Sequence, residues 1–320
     1  MKSINTWRLV HNSMENKIPV MLLYVLDSSG SSPGRQGFFM AVNTKGDMEG
    51  SIGGGMMEHK FVEMVKEKLR DSSSSGTAIK KQIHDKSAAK NQSGMICSGE
   101  QTILLHTLQP ADLSHIENII QSLERHKNGT LTLSPTGVHF SADPPELDYH
   151  FFRPSEGDWL YIEKTGYKNN LYIIGGGHCA LALSRLMRSM DFYIRVYDDR
   201  AELKTMIEND AAHEKYSIDS YEKIVGSMPG GTNEYIVIMT FGYRSDDIAI
   251  RGLLGKDYRY LGVLGSQTKI NKLFEDYRKE GIDENWLQQI HTPIGLNIHS
   301  QTPEEIAVSI AAEIIRVKNS

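Results

Sequence analysis

Three consecutive glycines, Gly175–Gly177, stand where a phosphate group could approach the backbone closely. They follow a short apolar run, Leu171–Ile174, and precede a segment whose apolar residues recur at helical spacing. This pattern predicts a strand, a tight turn and a helix. The free N–H groups of such a turn and the positive end of the helix dipole favour an anion. His178, at the predicted helix start, either contacts a phosphate or caps the helix.

Two acidic residues extend this pattern. The apolar segment Tyr193–Tyr197 predicts the next strand, and Asp198 and Asp199 follow it directly. An acid at this place can accept a hydrogen bond from a ribose hydroxyl, as in the first βαβ unit of a dinucleotide-binding sheet. We therefore expect a Rossmann-like sheet with a candidate nucleotide site at the glycines, His178 and one of the two acids.

A second set of glycines lies in the first half of the chain. Gly53, Gly54 and Gly55 precede a segment with apolar residues at helical spacing. Successive N–H groups there can form an anion-binding nest, and Ser31 and Arg35, in a Gly- and Ser-rich segment upstream, could bind the same ligand. The alternative is a hairpin and a helix start that only need positive φ angles.

Cys97 is the candidate for sulfur or metal chemistry. Glycines flank it in Gly94–Gly99, ahead of the predicted strand Thr102–Leu108. Its thiol is either an exposed ligand or nucleophile, or a small buried side chain. His291 follows a short predicted helix and either reaches a ligand site or fixes a turn.

The elements that must position these residues fall into two groups. Residues 1–165 are predicted to form an α+β domain of short strands, hairpin turns and amphipathic helices. Residues 166–320 alternate strands with helices, which predicts a parallel sheet covered on both faces. In the last helix, Thr302 is the predicted N-cap, Pro303 lies in the first turn and Glu305 completes a capping box. The expected fold class is α/β, with a C-terminal Rossmann-like domain after a smaller α+β domain.

Composition excludes several classes of protein. The net charge is −5, and without a basic stripe nucleic-acid binding is not expected. No apolar run reaches the roughly 18 residues of a membrane span, and the N-terminus lacks the apolar core of a signal peptide. Two cysteines cannot form a disulfide framework, so the reducing cytoplasm is the expected location.

In this order and spacing, the motifs resemble those of the xanthine dehydrogenase accessory family, the XdhC/CoxI proteins. The resemblance runs from about residue 10 to the C-terminus. The matching segments are GSSPGRQG at Gly30–Gly37, GSIGGGMME at Gly50–Glu58, GMICSG at Gly94–Gly99, IIGGGHCALAL at Ile173–Leu183, YDDR at Tyr197–Arg200, LGVLGS at Leu261–Ser266, and IHTPIGLNIHSQTPEEIAVSIAAEII at Ile290–Ile315.

The resemblance implies a function. Members of the family are maturation factors for molybdenum hydroxylases such as xanthine dehydrogenase. They bind molybdenum cofactor, support exchange of an oxo ligand for a sulfido ligand, and deliver the cofactor to the apo-enzyme. They work with a cysteine desulfurase and are typically homodimers. For this chain the resemblance implies a maturation factor more than a dehydrogenase. The alternatives are an NAD(P)-binding oxidoreductase or dehydrogenase subunit, and a nucleotide-sensing module that regulates a partner.

The resemblance also implies residue roles. Molybdenum cofactor is a phosphorylated pterin dithiolene. Gly53–Gly55 would cradle its anionic group, and Glu58 would orient the turn or contact a pterin nitrogen. Cys97 would contact molybdenum or handle sulfur, because soft ligands suit such chemistry. The chain departs from the family pattern at Ser98, where a glycine usually follows the cysteine, and at Thr240–Arg244, which lacks two histidines.

Overall fold

The structure, a computed structural model, describes residues 3–70, 76–83 and 99–320. The chain divides into two compact units, Met1–Gly166 and Tyr167–Ser320. Antiparallel sheets form the first unit and a parallel sheet forms the second. The predicted fold class, a Rossmann-like domain preceded by an α+β domain, is confirmed.

The first unit contains both helices and short strands, as predicted for an α+β domain. The helices are α1 (Ser3–Glu15), α2 (Gly55–Arg70) and α3 (Leu113–Glu124). The strands are β1 (Val20–Gly30), β2 (Phe39–Asn43), β3 (Met48–Gly50), β4 (Thr77–Ile83), β5 (Gly99–Thr107), β6 (Gly129–Ser134), β7 (Gly137–Ser141), β8 (Tyr149–Phe152) and β9 (Leu160–Thr165).

The strand β1 lies in the middle of the larger sheet, whose order is β3-β2-β1-β5-β4. Its first seven residues are all apolar and all buried, because both faces of the strand are covered. Leu22 and Tyr24 belong to a core with residues of α1, α3, β6 and β9. Met21 and Leu23 face the other way, into a core with residues of α2. An uninterrupted apolar run such as Val20–Leu26 therefore indicates a central strand that is buried on both faces.

A buried carboxylate connects this strand with the smaller sheet, β7-β6-β9-β8. Glu163 on β9 accepts hydrogen bonds from the hydroxyl groups of Tyr24 and Tyr161. Burial, together with the charge of Glu163, raises the pKa of both tyrosines well above the usual value. Glu163, a charged residue near the end of the first unit, is thus part of its interior.

The second unit contains the alternating elements predicted from the sequence. The helices are α4 (His178–Arg188), α5 (Lys204–Ile207), α6 (Tyr221–Ser227), α7 (Tyr243–Arg251), α8 (Gln267–Lys279), α9 (Glu284–Leu287) and α10 (Pro303–Lys318). The strands are β10 (Asn169–Ile174), β11 (Phe192–Asp198), β12 (Glu214–Ser217), β13 (Gly231–Ile238), β14 (Tyr258–Val263) and β15 (Ile290–His291).

All neighbouring strands of this sheet are parallel, in the order β12-β11-β10-β13-β14-β15. Residues of β10 alternate between two cores: Tyr172 and Ile174 face residues of α6, α7 and α8, whereas Leu171 and Ile173 face α4 and α10. The strand order reverses between β10 and β13. In open α/β sheets such a reversal opens a ligand-binding crevice at the carboxyl ends of the strands.

Several strands carried no clear signal in the sequence. The edge strands β4 and β12 are short and largely polar, and β15 has two residues. Exposed edge strands are commonly polar because polar side chains discourage pairing with another chain. Such strands lack the apolar pattern on which sequence interpretation depends.

The last helix begins as predicted. The Thr302 hydroxyl accepts from the Glu305 N–H at 3.2 Å, and the Glu305 carboxylate accepts from the Thr302 N–H at 3.1 Å. This helix packs beside α4 on one face of the parallel sheet. Within the described ranges, no helix combines the length and the apolar character that a membrane span requires.

We expect Thr302→Ala to lower the free energy of unfolding by about 1 kcal/mol, because the Glu305 N–H loses its acceptor. Denaturant unfolding followed by circular dichroism measures this change. Thr302→Ser keeps the oxygen and should remain close to wild type. Equal stability of all three proteins would show that the capping box contributes nothing.

Candidate functional site

The glycine-containing segments of the first unit meet at one end of β1. There β1 pairs with β5, with Gly30 opposite Gly99. A Cβ atom on Gly99 would lie 2.6 Å from the Ser32 nitrogen, and one on Gly53 would lie 2.7 Å from the Gly34 nitrogen. These backbone contacts leave no room for a larger residue. We call the segments that meet here the glycine cluster: Gly30–Gly37, Gly50–Glu58 and Gly99.

Gln101 holds the glycine cluster together. Its side chain is 1% exposed, and its Nε2 donates to the carbonyl oxygens of Gly34 and Ile52, each at 3.0 Å. The sequence interpretation missed this residue. A signal was present, because Gln101 stands two positions after Gly99 and two before Ile103, on the buried side of β5.

Glu58 closes the turn before α2. Its Oε2 accepts from the Ser51 hydroxyl at 2.7 Å, the Ile52 N–H at 2.9 Å and the Gly54 N–H at 3.0 Å. All three residues of Gly53–Gly55 have positive φ angles. Glu58 thus holds the backbone of this turn by hydrogen bonds, and its contact with a pterin nitrogen stays a prediction. Its carboxylate already uses one N–H of the predicted anion nest.

Exposed polar groups remain at the glycine cluster. Ser31, Arg35 and Gly55 are exposed, and Arg35 Nη1 donates to the Gly30 carbonyl at 2.8 Å. The first N–H groups of a helix lack partners within the helix, so the start of α2 can still receive an anion. Cys97 lies outside the described residues, and its role stays a prediction. Among the described residues, no three His, Cys, Asp or Glu side chains are grouped to hold a metal.

The Rossmann turn lies at the carboxyl end of β10. Gly175 has a φ of 108°, and a Cβ atom there would lie 2.3 Å from the Met239 carbonyl oxygen. At Gly177, a Cβ atom would meet nothing within 4 Å. Gly177 is the N-cap of α4, and the side chain of His178, the first helical residue, is exposed. Because the N-cap residue is a glycine, no side chain caps this helix, and His178 stands one position after the N-cap.

Asp198 is completely buried and fully hydrogen-bonded within the unit. Its Oδ2 accepts from the Gly176 N–H at 2.6 Å and from Arg200 Nη2 at 2.7 Å. Its Oδ1 accepts from the Arg200 N–H at 2.9 Å and Nε at 2.8 Å. Burial raises the pKa of Asp198, but the bonds from Arg200 and Gly176 outweigh burial and hold the pKa below its usual value. Asp199 is exposed, with Oδ1 3.2 Å from the Tyr221 hydroxyl.

A second buried acid, which the sequence interpretation missed, lies beside this turn. Asp246 on α7 is completely buried and accepts from the Thr240 hydroxyl at 2.5 Å, the Thr240 N–H at 3.2 Å, and Lys269 Nζ. Burial raises the pKa of Asp246 despite these partners. A Cβ atom on Gly175 would lie 2.8 Å from the Thr240 nitrogen. Thr240, which donates to Asp246, therefore adjoins the glycine turn.

His291 lies on the edge strand β15. Its ring stacks on Tyr260 at a centroid distance of 4.5 Å, and its Nδ1 lies 3.5 Å from Glu313 Oε1. Glu313 also accepts from the Gly295 N–H and the Tyr260 hydroxyl, each at 2.8 Å. Although burial raises the pKa of Glu313, these partners lower it to about 2. These contacts hold the His291 ring against Tyr260 and Glu313, and both predicted roles, reaching a ligand site and fixing a turn, stay predictions.

Comparisons with known proteins match both units. A model of the XdhC Rossmann domain matches residues 171–314, and a model of the XdhC and CoxI family matches residues 13–78. Together they span about two thirds of the chain.

Two relatives and one solved structure are similar along most of the chain. The uncharacterized protein YqeB of Escherichia coli is 24% identical over 96% of this chain, which spans only 45% of that relative. A protein of Bacillus subtilis, named as a probable subunit of xanthine dehydrogenase, is 22% identical over 95% of both chains. The crystal structure of a protein from Bacillus halodurans, described as a xanthine dehydrogenase, shares the fold. Its TM-score is 0.71 at 21% identity, covering 100% of this chain and 96% of the other.

The glycines of the Rossmann turn should differ in their tolerance of a side chain. We expect Gly175→Ala to lower the free energy of unfolding by about 3 kcal/mol or more, because its Cβ meets the Met239 carbonyl and its φ is strained. Gly177→Ala should cost less than about 1 kcal/mol, since its φ is ordinary and the space is open. Denaturant unfolding compares the two variants, and equal losses would contradict this geometry.

The low pKa of Glu313 predicts a dependence of stability on pH. The folded pKa is about 2 and the usual value is 4.5. The contribution of this group is therefore fully present above about pH 4.5 and is lost as the pH falls toward 2. As the pH falls from about 4.5 to about 2, the free energy of unfolding of wild type should fall by up to about 3 kcal/mol more than that of Glu313→Gln. Glu304→Gln, exposed on the same helix, is the control. Parallel profiles for wild type and Glu313→Gln would refute the shift.

Proposed function

This chain belongs to the XdhC and CoxI family, and from that premise we propose that it binds molybdenum cofactor and assists its sulfuration and insertion into a xanthine dehydrogenase-type molybdenum hydroxylase. Membership of the family implies an accessory role to a xanthine dehydrogenase. In this proposal the protein is a maturation factor and not itself a dehydrogenase. It works in the cytoplasm with a cysteine desulfurase, as a homodimer.

The meeting of two glycine motifs with Gly99 in the glycine cluster is the observation that supports this proposal. A Cβ atom on Gly53 would meet the backbone of Gly34, and one on Gly99 would meet the backbone of Ser31 and Ser32 in the same Gly30–Gly37 segment. Cys97 precedes Gly99 by two residues in the sequence. A backbone site for an anion and a soft thiolate would thus belong to one region. A phosphorylated dithiolene cofactor needs both of these features.

The exposed residues of the glycine cluster fit an anionic, partly apolar ligand. The start of α2 and the guanidinium of Arg35 would hold the phosphate. Glu58 would not repel it strongly, because its carboxylate is bonded to the Ile52 and Gly54 N–H groups. Met56, 65% exposed directly after the three glycines, offers apolar surface to a pterin ring. When bound, the cofactor supplies the molybdenum whose oxo ligand is exchanged for a sulfido ligand.

A second candidate function is that of an NAD(P)-binding oxidoreductase or dehydrogenase subunit. The observation that favours it is the glycine turn at the carboxyl end of β10, beside the reversal in strand order. Against a simple NAD site, Asp198, one of the two acids expected to bind the ribose hydroxyl, is already fully hydrogen-bonded to Arg200 and Gly176. We therefore rank this function second.

Cofactor capture tests the accessory function. Purified protein is incubated with freshly released molybdenum cofactor, free ligand is removed, and molybdenum and pterin are quantified separately. We expect near-stoichiometric capture by wild type. Gly54→Asp should lower the affinity by about tenfold or more, because it adds a carboxylate beside the proposed anion site.

Gly46→Asp is the matched control for this experiment. Gly46 and Gly54 both have positive φ angles, and a Cβ atom on either meets nothing within 4 Å. Gly46 lies in the turn between β2 and β3, away from the glycine cluster, so Gly46→Asp should capture cofactor like wild type. Equal loss in both variants, or no capture by wild type where a known carrier succeeds, would reject the proposed site.

Cys97→Ser separates the sulfur chemistry from binding of the pterin. We expect this variant to lose activation of an apo-hydroxylase supplied with a cysteine desulfurase, because serine cannot carry sulfur or act as a soft ligand. The activity of the client enzyme after incubation is the measurement. Full cofactor binding together with full activation would eliminate the role of Cys97.

A further inference from the structure

The carboxylate of Asp198 has no capacity left for a ligand hydroxyl. An ionised carboxylate offers about four lone-pair positions. Asp198 accepts hydrogen bonds from the Gly176 N–H, the Arg200 N–H, and two nitrogens of the Arg200 guanidinium. A ribose hydroxyl that approached this site would find every acceptor position occupied. Recognition of the ribose at this place therefore requires another group.

The exposed side of Arg200 is that group. A guanidinium carries about five N–H donors. The guanidinium of Arg200 donates from Nε and from one N–H of Nη2 to Asp198. The Arg200 side chain is 42% exposed while the carboxylate behind it is completely buried. The buried acid thus fixes the guanidinium in one orientation and leaves its outer edge for an anion. In Rossmann sites, an arginine near the end of this strand accommodates a phosphate on the ribose 2′-oxygen.

An exposed aromatic ring stands beside this arginine. Arg200 Cζ lies 5.8 Å from the centroid of the Phe241 ring, which is 92% exposed. Phe241 follows β13 and Arg200 follows β11, with β10 between them. The contact therefore spans the carboxyl end of β10, where Gly175–Gly177 turns. A phenylalanine exposed beside a guanidinium offers a stacking surface for a planar base.

We propose that the carboxyl edge of the parallel sheet binds an adenine nucleotide with a phosphate on its ribose 2′-oxygen. Arg200 contacts that phosphate, and Phe241 stacks on the base. Asp198 positions Arg200 and does not touch the ligand. This site belongs to the second unit and does not depend on capture of molybdenum cofactor at the glycine cluster.

The competing arrangement gives the opposite selectivity. Asp199 is exposed, and its carboxylate could accept a hydrogen bond from a free ribose hydroxyl. A 2′-phosphate would then be repelled. The Oδ1 atom of Asp199, however, lies 3.2 Å from the Tyr221 hydroxyl of α6. Arg200 instead extends toward Phe241, in the loop after β13. The preference between phosphorylated and unphosphorylated ribose distinguishes the two arrangements.

Isothermal titration of the full chain with 2′,5′-ADP and with 5′-AMP, which differ only by the 2′-phosphate, is the direct test. We expect 2′,5′-ADP to bind at least about tenfold more tightly, because a hydrogen bond to a charged group is worth more than one to a neutral group. Equal affinity, tighter binding of 5′-AMP, or no binding of either nucleotide would overturn the proposal. Cofactor capture by the glycine cluster would be unaffected by any of these results.

Variants assign the preference to its residues. Arg200→Met alone leaves a buried carboxylate without its partner, so Asp198→Asn combined with Arg200→Met is the main variant. It should bind both nucleotides with nearly equal affinity. Phe241→Ala should weaken both by about tenfold and keep their ratio, since stacking does not involve the 2′-phosphate. Arg185→Met, exposed at the far end of α4, is the charge-matched control. An unchanged ratio in the folded double variant would refute the role of Arg200.

Discussion

In the described part of the chain, four turns depend on a carboxylate that accepts a hydrogen bond from their backbone. A buried N–H without an acceptor is costly, and tight turns expose several of them. Four carboxylates supply the missing acceptors: Glu58, Asp198, Asp246 and Glu313. Their backbone partners are the N–H groups of Ile52 and Gly54, of Gly176, of Thr240, and of Gly295. The acids beside the glycine turns are thus primarily part of the fold.

This constraint determines which residues can meet a ligand. A carboxylate whose lone pairs are used inside the protein contributes orientation and not recognition. The groups left over are the cations that these acids hold: Arg200 beside Asp198, and Lys269 beside Asp246. Both cations are partly exposed while both acids are completely buried. The carboxyl edge of the sheet therefore presents positive groups outward, a distribution suited to phosphates.

The elements that the sequence predicted well are those with a local signal. The strand β10 and the helices α4 and α10 are recognisable because apolar spacing, glycines and a capping box all lie within one segment. Hydrogen bonds between distant segments could not be predicted from the sequence. Nothing near Gln101 shows that its amide joins Gly34 and Ile52, and nothing near Asp198 shows that its carboxylate accepts from the Gly176 N–H. The candidate residues were identified by type and position, whereas their hydrogen-bond partners required the tertiary structure.

The pairing of Arg200 with a buried acid has a consequence for binding. A free arginine loses about 2 kcal/mol of rotamer entropy when a ligand immobilises it. At Arg200 the folded protein has already immobilised the guanidinium through two hydrogen bonds to Asp198. A phosphate that contacts the outer edge meets a prepared donor, so less of the interaction is offset by ordering. Selectivity for phosphorylated ribose would then arise from the saturated carboxylate as much as from the arginine.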